Sequence, residues 1–189
     1  MVCRPSTRPA LIALLAALLT ALAAPAVARA DCPVQPLERT FLPWLDAAWY
    51  EAAPDGGFEA GAAGWSLAQG AAVVDGNQPY LDGARSLSLP AGASATTPPI
   101  CVDLAHPTIR FFAEGGSLLA PLVVSVLFRD PLGLSHELPV GVMLASGSWS
   151  PSPILAVTGN LLSSQVSFRF ASAGDWQLDD VFVDPYSKG

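Results

Sequence analysis

The chain has 189 residues, with 9 basic and 16 acidic side chains, a formal net charge of −7 and 51% hydrophobic residues. Three of the basic residues (Arg4, Arg8 and Arg29) precede residue 31, so the remainder carries 6 basic against 16 acidic side chains, a balance of −10. That sign makes nucleic acid and anionic membrane surfaces poor partners, and leaves calcium or neutral ligands as better ones.

Residues 1–30 read as a secretory signal rather than as part of a fold. Arg4 and Arg8 precede an apolar run from Ala10 to Ala24, followed by Pro25 and the triplet Ala28-Arg29-Ala30, with cleavage expected after Ala30. The run falls short of the roughly 20 residues of a spanning helix. Asp31 stands where a lipobox before Cys32 needs a small residue. The expected mature chain, 31–189, is thus exported and free of the membrane once the signal is removed, and its length suits one domain. Cys3 leaves with the signal. Cys32 and Cys101 remain, and an even count in an exported chain favours a disulfide between them.

Residues 31–54 read as an arm tethered by that disulfide. Phe41, Trp44, Leu45, Ala48 and Trp49 recur at spacings of three and four, which predicts a short helix with Pro43 in its first turn and Trp44 and Trp49 in the core. After Gly64 the helical period disappears. Short strands are predicted at 65–74, 86–89, 93–97 and 100–104, divided by Gly, Pro, Asn and Asp. Period-two alternation then marks 108–113, 122–129 and 166–171, with further strands at 138–145 and 153–157. The Ser, Gly and Pro of 146–152 read as a loop. With 18 prolines and 16 glycines punctuating the chain, the fold class is all-β, an antiparallel β-sandwich of jelly-roll type over 55–189.

The ends of that domain carry its clearest signatures. The closing run Asp175-Trp176-Gln177-Leu178-Asp179-Asp180-Val181-Phe182-Val183-Asp184 reads as a final strand, and Asp55-Gly56-Gly57-Phe58-Glu59 to Gly64-Trp65 as a glycine-rich opening that should meet it in one sheet. Plain alternation puts Trp176, Leu178, Asp180 and Phe182 on one face. A β-bulge at the Asp pair would exchange the faces beyond it.

Gly57-Phe58-Glu59, Gly64-Trp65 and Trp176-Gln177-Leu178-Asp179-Asp180-Val181 resemble the motifs of the galactose-binding-like jelly rolls, which include many carbohydrate-binding modules. The resemblance implies that the two ends lie side by side. It also implies a structural calcium held there by an acidic residue of the opening motif and an Asp of the closing one. The segments Cys32-Pro33-Val34, Phe41-Leu42-Pro43-Trp44, Gly76-Asn77-Gln78-Pro79 and His106-Pro107-Thr108-Ile109-Arg110-Phe111-Phe112 are, in addition, similar to small secreted proteins of high-GC Gram-positive bacteria. No sugar-contacting motif is matched.

Three groups of residues could carry function. Glu59 with Asp179 or Asp180, and Asp55 as an addition, could supply the oxygens that calcium requires; the alternative is that they cap turns or face solvent. Trp149, in its Ser-Gly-Pro setting, and Tyr80, after Gly76-Asn77-Gln78-Pro79, are aromatics on which a sugar ring could stack, unless they fold back onto the sandwich. Arg110, Arg129 and Arg169 each take the non-core face of a strong strand. Were those strands neighbours, they would form a basic stripe suited to an acidic glycan; otherwise they are surface arginines paired with carboxylates. Catalysis finds no motif: there is no Gly-x-Ser-x-Gly, and His106 and His136 lack metal-binding spacing. The reading is a secreted, non-catalytic module for carbohydrate or cell-wall glycan. A structural or protein-interaction module of the cell envelope is the first alternative, and a polysaccharide lyase or glycosidase built on a carboxylate pair the second.

Overall fold

The computed structural model describes residues 36–102, 107–157 and 165–184; the signal segment, Cys32, His106 and the residues after Asp184 lie outside them. Among the described residues there is no α-helix, and the strands are β1 (Glu51–Ala52), β2 (Ser66–Ala68), β3 (Ala72–Asp75), β4 (Arg85–Leu89), β5 (Ser94–Thr96), β6 (Ile100–Cys101), β7 (Thr108–Gly115), β8 (Leu122–Arg129), β9 (Ser135–Met143), β10 (Ser146–Pro151), β11 (Leu155–Ala156), β12 (Gln165–Ser172) and β13 (Trp176–Asp184). They form two antiparallel sheets. The first runs β10-β7-β13-β4-β3, with β1 on β13 and β11 on β7; the second runs β2-β5-β12-β8-β9, with β6 on β12.

Alternation decides which side chains fill the space between the sheets. Ile109, Phe111 and Ala113 of β7 face Leu122, Val124 and Val126 of β8 and Val166, Phe168 and Phe170 of β12, all within one buried cluster. Phe111 meets Phe170 edge-on at 5.1 Å. Each of these Val, Leu, Ile and Phe side chains contributes about 1.5–3 kcal/mol on burial, so this cluster carries the fold.

The closing strand obeys alternation only in halves. Trp176 and Leu178 point into the core, and so do Val181 and Val183. The register along β7 shows why: Asp179 pairs with Phe112 and Phe182 with Arg110, so three steps on β13 match two on β7. Asp180 is the extra residue, held at φ 47. It is a β-bulge, and it exchanges the faces as extra residues do. Phe182, expected on the face of Trp176, is therefore on the opposite one, against Phe41, Tyr50 and Phe112.

The opening motif grips that bulge. Ala53 donates its N–H to the Val181 carbonyl at 2.8 Å, and Val181 donates to the Gly56 carbonyl at 3.1 Å. A Cβ on Gly56 would lie 2.7 Å from the Val181 oxygen, so only glycine lets the chains approach this closely. The opening motif thus lies beside the closing strand, but the strand paired to β13 is β1 of the arm, while β2, directly after the motif, joins the second sheet.

The arm departs from expectation. Instead of a helix there is one 3-10 turn, Leu42–Trp44, with Pro in its first positions and Leu45 in the left-handed region at φ 62. Its ends are closed by Glu38 and Tyr50, which exchange backbone hydrogen bonds of 2.8 Å in both directions. The spacing of three and four does not mark a buried face: Leu45 is 97% exposed and Trp49 43% exposed, with the Arg39 guanidinium 4.5 Å above the Trp49 ring. Phe41 and Tyr50 are the buried anchors.

Two strand expectations are also corrected. The segment 65–74 is two strands, broken at Gln69 and Gly70, both of positive φ. Ser146–Pro151, expected as a loop, is β10 at the edge of the first sheet. Proline is tolerated there because an edge strand has no second ladder to supply.

Candidate functional site

The carboxylates near the two ends come together, but not as one ligand set. Asp55 uses both oxygens inside its own turn, accepting N–H bonds from Ala60 at 2.9 Å and Ala63 at 2.7 Å. Glu59 accepts from the backbone N–H of Ala84 at 2.7 Å and Arg85 at 3.0 Å, so it caps the start of β4. Asp179 is fully buried and accepts from the N–H of Gln78 at 3.1 Å and of Asp180 at 2.8 Å. Asp180 accepts from the Gln78 side-chain amide at 2.6 Å. Gln78 is thus a donor to both, a role its place in the run Gly76-Asn77-Gln78-Pro79 did not reveal.

Electrostatics makes this node unusual. Burial, then the adjacent Asp180, and at a greater remove Glu59, push the Asp179 carboxyl up to about 7, against hydrogen bonds that pull it down. Asp180 is raised as well, by burial first and by Glu59. The buried Asp179 and the half-buried Asp180, side by side, lack any salt bridge to a basic side chain among the described residues. Nor do any three Asp, Glu, His or Cys side chains among those residues stand at a spacing that could hold a metal ion. Asp55 does not fit the calcium set; Glu59, Asp179 and Asp180 share the electrostatic neighbourhood.

Trp149 and Tyr80 are brought together on the outer face of the first sheet. Tyr80 donates its hydroxyl to the Trp149 carbonyl at 2.9 Å, and its ring lies 5.0 Å from Trp44 and 5.4 Å from Phe112. Trp149 packs against the arm cluster and is half-buried, while Tyr80 stays 46% exposed. Beneath them Arg110 is only 6% exposed. It forms an ion pair with Asp46 at 3.0 Å, donates to the Ser152 carbonyl at 2.8 and 3.1 Å, and lies 4.2 Å over the Phe41 ring. Burial pushes the Asp46 carboxyl up, but bonds from Tyr50, Ala48 and Arg110 outweigh it and hold it below the usual range. Arg110 fastens the arm to the sheet. It is not a surface residue awaiting a ligand.

The three arginines therefore do not share a face. Arg110 belongs to β7 in the first sheet, whereas Arg129 on β8 and Arg169 on β12 lie in the second. Registers set out that second face: Thr96, Arg169, Ser125 and Pro139 form one row, Ser167, Leu127 and Glu137 the next, and Arg129 with Ser135 a third. Arg169 reaches Glu137 at 3.3 Å and Ser94 at 3.5 Å. A groove of about 370 Å³ opens beside these rows, lined by Thr96, Leu127, Arg129, Ser135, His136, Gln165 and Ser167 among others. At its margin the His136 ring stacks on Phe128 at 5.2 Å and meets Asp130 at 2.9 Å. That hydrogen bond, with those from the Leu134 and Leu132 N–H groups, holds the Asp130 carboxyl below the usual range. Glu137 was missed in the sequence because it follows no motif, and His136 was weighed there only for metal-binding spacing. Only their cross-strand partners place them here.

No protein-family model matches the chain, and no curated protein matches it in sequence. Solved structures do share its fold. The CBM22-1 xylan-binding domain of Paenibacillus barcinonensis Xyn10C superposes with a TM-score of 0.53 at 17% identity, over 71% of this chain and 94% of that one. The CBM22-1 and GH10 modules of Clostridium thermocellum endo-1,4-beta-D-xylanase 10B, solved with xylohexaose, match with a TM-score of 0.55 at 12% identity, over 72% and 29%. The enzymatically active domain of bacteriophage CBA120 tailspike protein 4 matches at 0.53 and 14%, over 70% and 21%. This chain spans less than a third of the last two. At these identities the likeness shows the fold alone, a jelly-roll β-sandwich of the kind used by carbohydrate-binding modules.

Proposed function

We propose that this protein is an exported, non-catalytic module that binds a glycan chain on the outer face of its second sheet. The observation that carries the reading is the placing of Arg169 in one row and of Ser167, Leu127 and Glu137 in the next, beside the groove. Arg169 and Glu137 are each about two-fifths exposed, at 40% and 42%, so their pair is open to a ligand. An arginine donates to ring and hydroxyl oxygens, a carboxylate accepts from hydroxyls, and Leu127 offers an apolar floor to a sugar's C–H face. The fold it shares with a xylan-binding domain supports a polysaccharide partner, with cell-wall association as a consequence of export. The expected disulfide between Cys32 and Cys101 belongs to the same proposal as a structural support; the expected calcium at Glu59, Asp179 and Asp180 does not, since these side chains do not converge as a metal site.

The test is retention on a panel of insoluble polysaccharides and cell-wall preparations. Binding by the native protein should weaken at least tenfold, about 1.4 kcal/mol, in Arg169→Ala and in Arg129→Ala, with melting temperatures close to native. Absence of retention on every glycan, or undiminished retention by the double variant, would overturn the reading.

A further inference from the structure

The first sheet also has an outer face, and the arm covers only part of it. Over the arm-covered end lie Phe112, Phe182 and Arg110. At the other end Glu114, Gln177 and Ser88 stand in one cross-strand row on β7, β13 and β4. Beside that row β10 is bulged: Ser146 pairs with Gly115 and Ser150 with Ala113, so Gly147, Ser148 and Trp149 together oppose Glu114. The widened strand leaves a trough of about 440 Å³ whose lining includes Glu114, Gln177, Ser88, Ser146, Gly147 and Asp175. That volume falls within the roughly 300–1,000 Å³ of small-molecule sites.

We infer that this trough is a second ligand site, separate from the second sheet's face, and that it takes a neutral sugar through vicinal hydroxyls. The lining is rich in acceptors and contains no basic side chain. The Glu114 side chain makes no hydrogen bond or ion pair with any of the described residues, so its carboxylate keeps its full accepting capacity. Asp175 spends one oxygen on the Ala91 N–H at 3.2 Å and keeps the other. The Gln177 carbonyl accepts from Ser86 at 3.3 Å, which leaves its amide hydrogens to donate. Two carboxylates and one amide donor suit a diol, whose hydroxyls can each donate to a carboxylate oxygen. An acidic sugar is excluded by the same two charges. The trough cannot be closed by substitution at Gly115 or Gly116, where a Cβ would strike Asp175 or Trp176, but at Gly147 a Cβ would meet nothing within 4 Å.

The experiment follows backbone amide resonances of isotope-labelled protein during titration with neutral sugars (xylose, galactose, glucose, mannose and xylohexaose) and with glucuronate. The Glu114, Gly147 and Gln177 amides should shift saturably with at least one neutral sugar and not with glucuronate. Gly147→Leu should abolish those shifts while leaving the remaining spectrum native, and Glu114→Gln should weaken the affinity at least tenfold. Arg169→Ala should leave them unchanged, which separates this site from the other face. The inference is overturned if no neutral sugar produces a saturable shift there, if the shifts survive Gly147→Leu, or if glucuronate binds as tightly.

Discussion

Asp179 is the residue whose chemistry reaches furthest. Its carboxyl is raised to about 7, chiefly by burial. Above the unfolded value of about 3.9 the unfolded chain gives up its proton while the native state keeps it until about 7, so the native state binds more protons across that window. Stability should therefore fall as pH rises from about 4 to about 7 and level off beyond. Each tenfold in proton affinity is worth about 1.4 kcal/mol, so the loss is on the order of a few kcal/mol. Melting curves across this range in chelator should show the slope, and Asp179→Asn should reduce it, leaving the part that the raised Asp180 and Glu51 carboxyls contribute. Added calcium should flatten the slope in the native protein if it binds the carboxylates; an identical profile with and without calcium would refute the metal. Arg110 supplies the contrasting case. Its ion pair with Asp46 is buried, and removing one partner of such a pair costs about 3–5 kcal/mol. Arg110→Ala should lower the melting temperature by that equivalent without altering glycan retention, a separation that thermal denaturation and the polysaccharide panel read independently. The charge of Arg110 was plain from the sequence, and so was its outward-facing strand position. What covers it was not, because the arm's approach is set by Phe41 and Tyr50 across some sixty residues of chain.

At the scale of elements, alternation was legible wherever a strand is straight. Ile109 with Phe111, Leu122 with Val124, and Phe168 with Phe170 all face the core as the period of two requires. It failed where backbone geometry adds or spends a residue. The Asp180 bulge reverses the second half of β13, and the Ser146–Pro151 strand hid behind residues that usually mark loops. Neither leaves a signature in composition, since each depends on a partner strand. The bulge gives a sharp prediction. Deleting Asp180 would remove the extra step, so that two steps on β13 match two on β7 and Val181 and Val183, both fully buried, stay on the core face. The deletion variant should keep a cooperative melt at a lowered temperature, since it loses the bulge and the Gln78–Asp180 hydrogen bond; loss of the cooperative transition would mean that the fold requires the bulge itself.

For the whole molecule, the two sheets divide the expected site. Arg129 and Arg169 are on one side of the sandwich, Trp149, Tyr80 and Arg110 on the other, and the strand order that separates them is a long-range property that local spacing does not encode. The same architecture bears on the proposed disulfide. A crosslink from Cys32 to Cys101 would close a loop of about 70 residues, for which chain-entropy estimates reach about 4 kcal/mol. The arm has other anchors, however: the Glu38–Tyr50 bridge, the Asp46–Arg110 pair, and the packing of Phe41 between Phe112 and Phe182. These act on the native state, whereas the crosslink restrains the unfolded chain. Reduction should therefore lower the melting temperature while leaving the folded arm in place, seen as an unchanged near-ultraviolet signal from its aromatic cluster. Reduction combined with Arg110→Ala should release the arm, quenching that signal before the sandwich melts. If reduction alone erased the signal, the crosslink rather than the ion pair would be what holds the arm to the sheet.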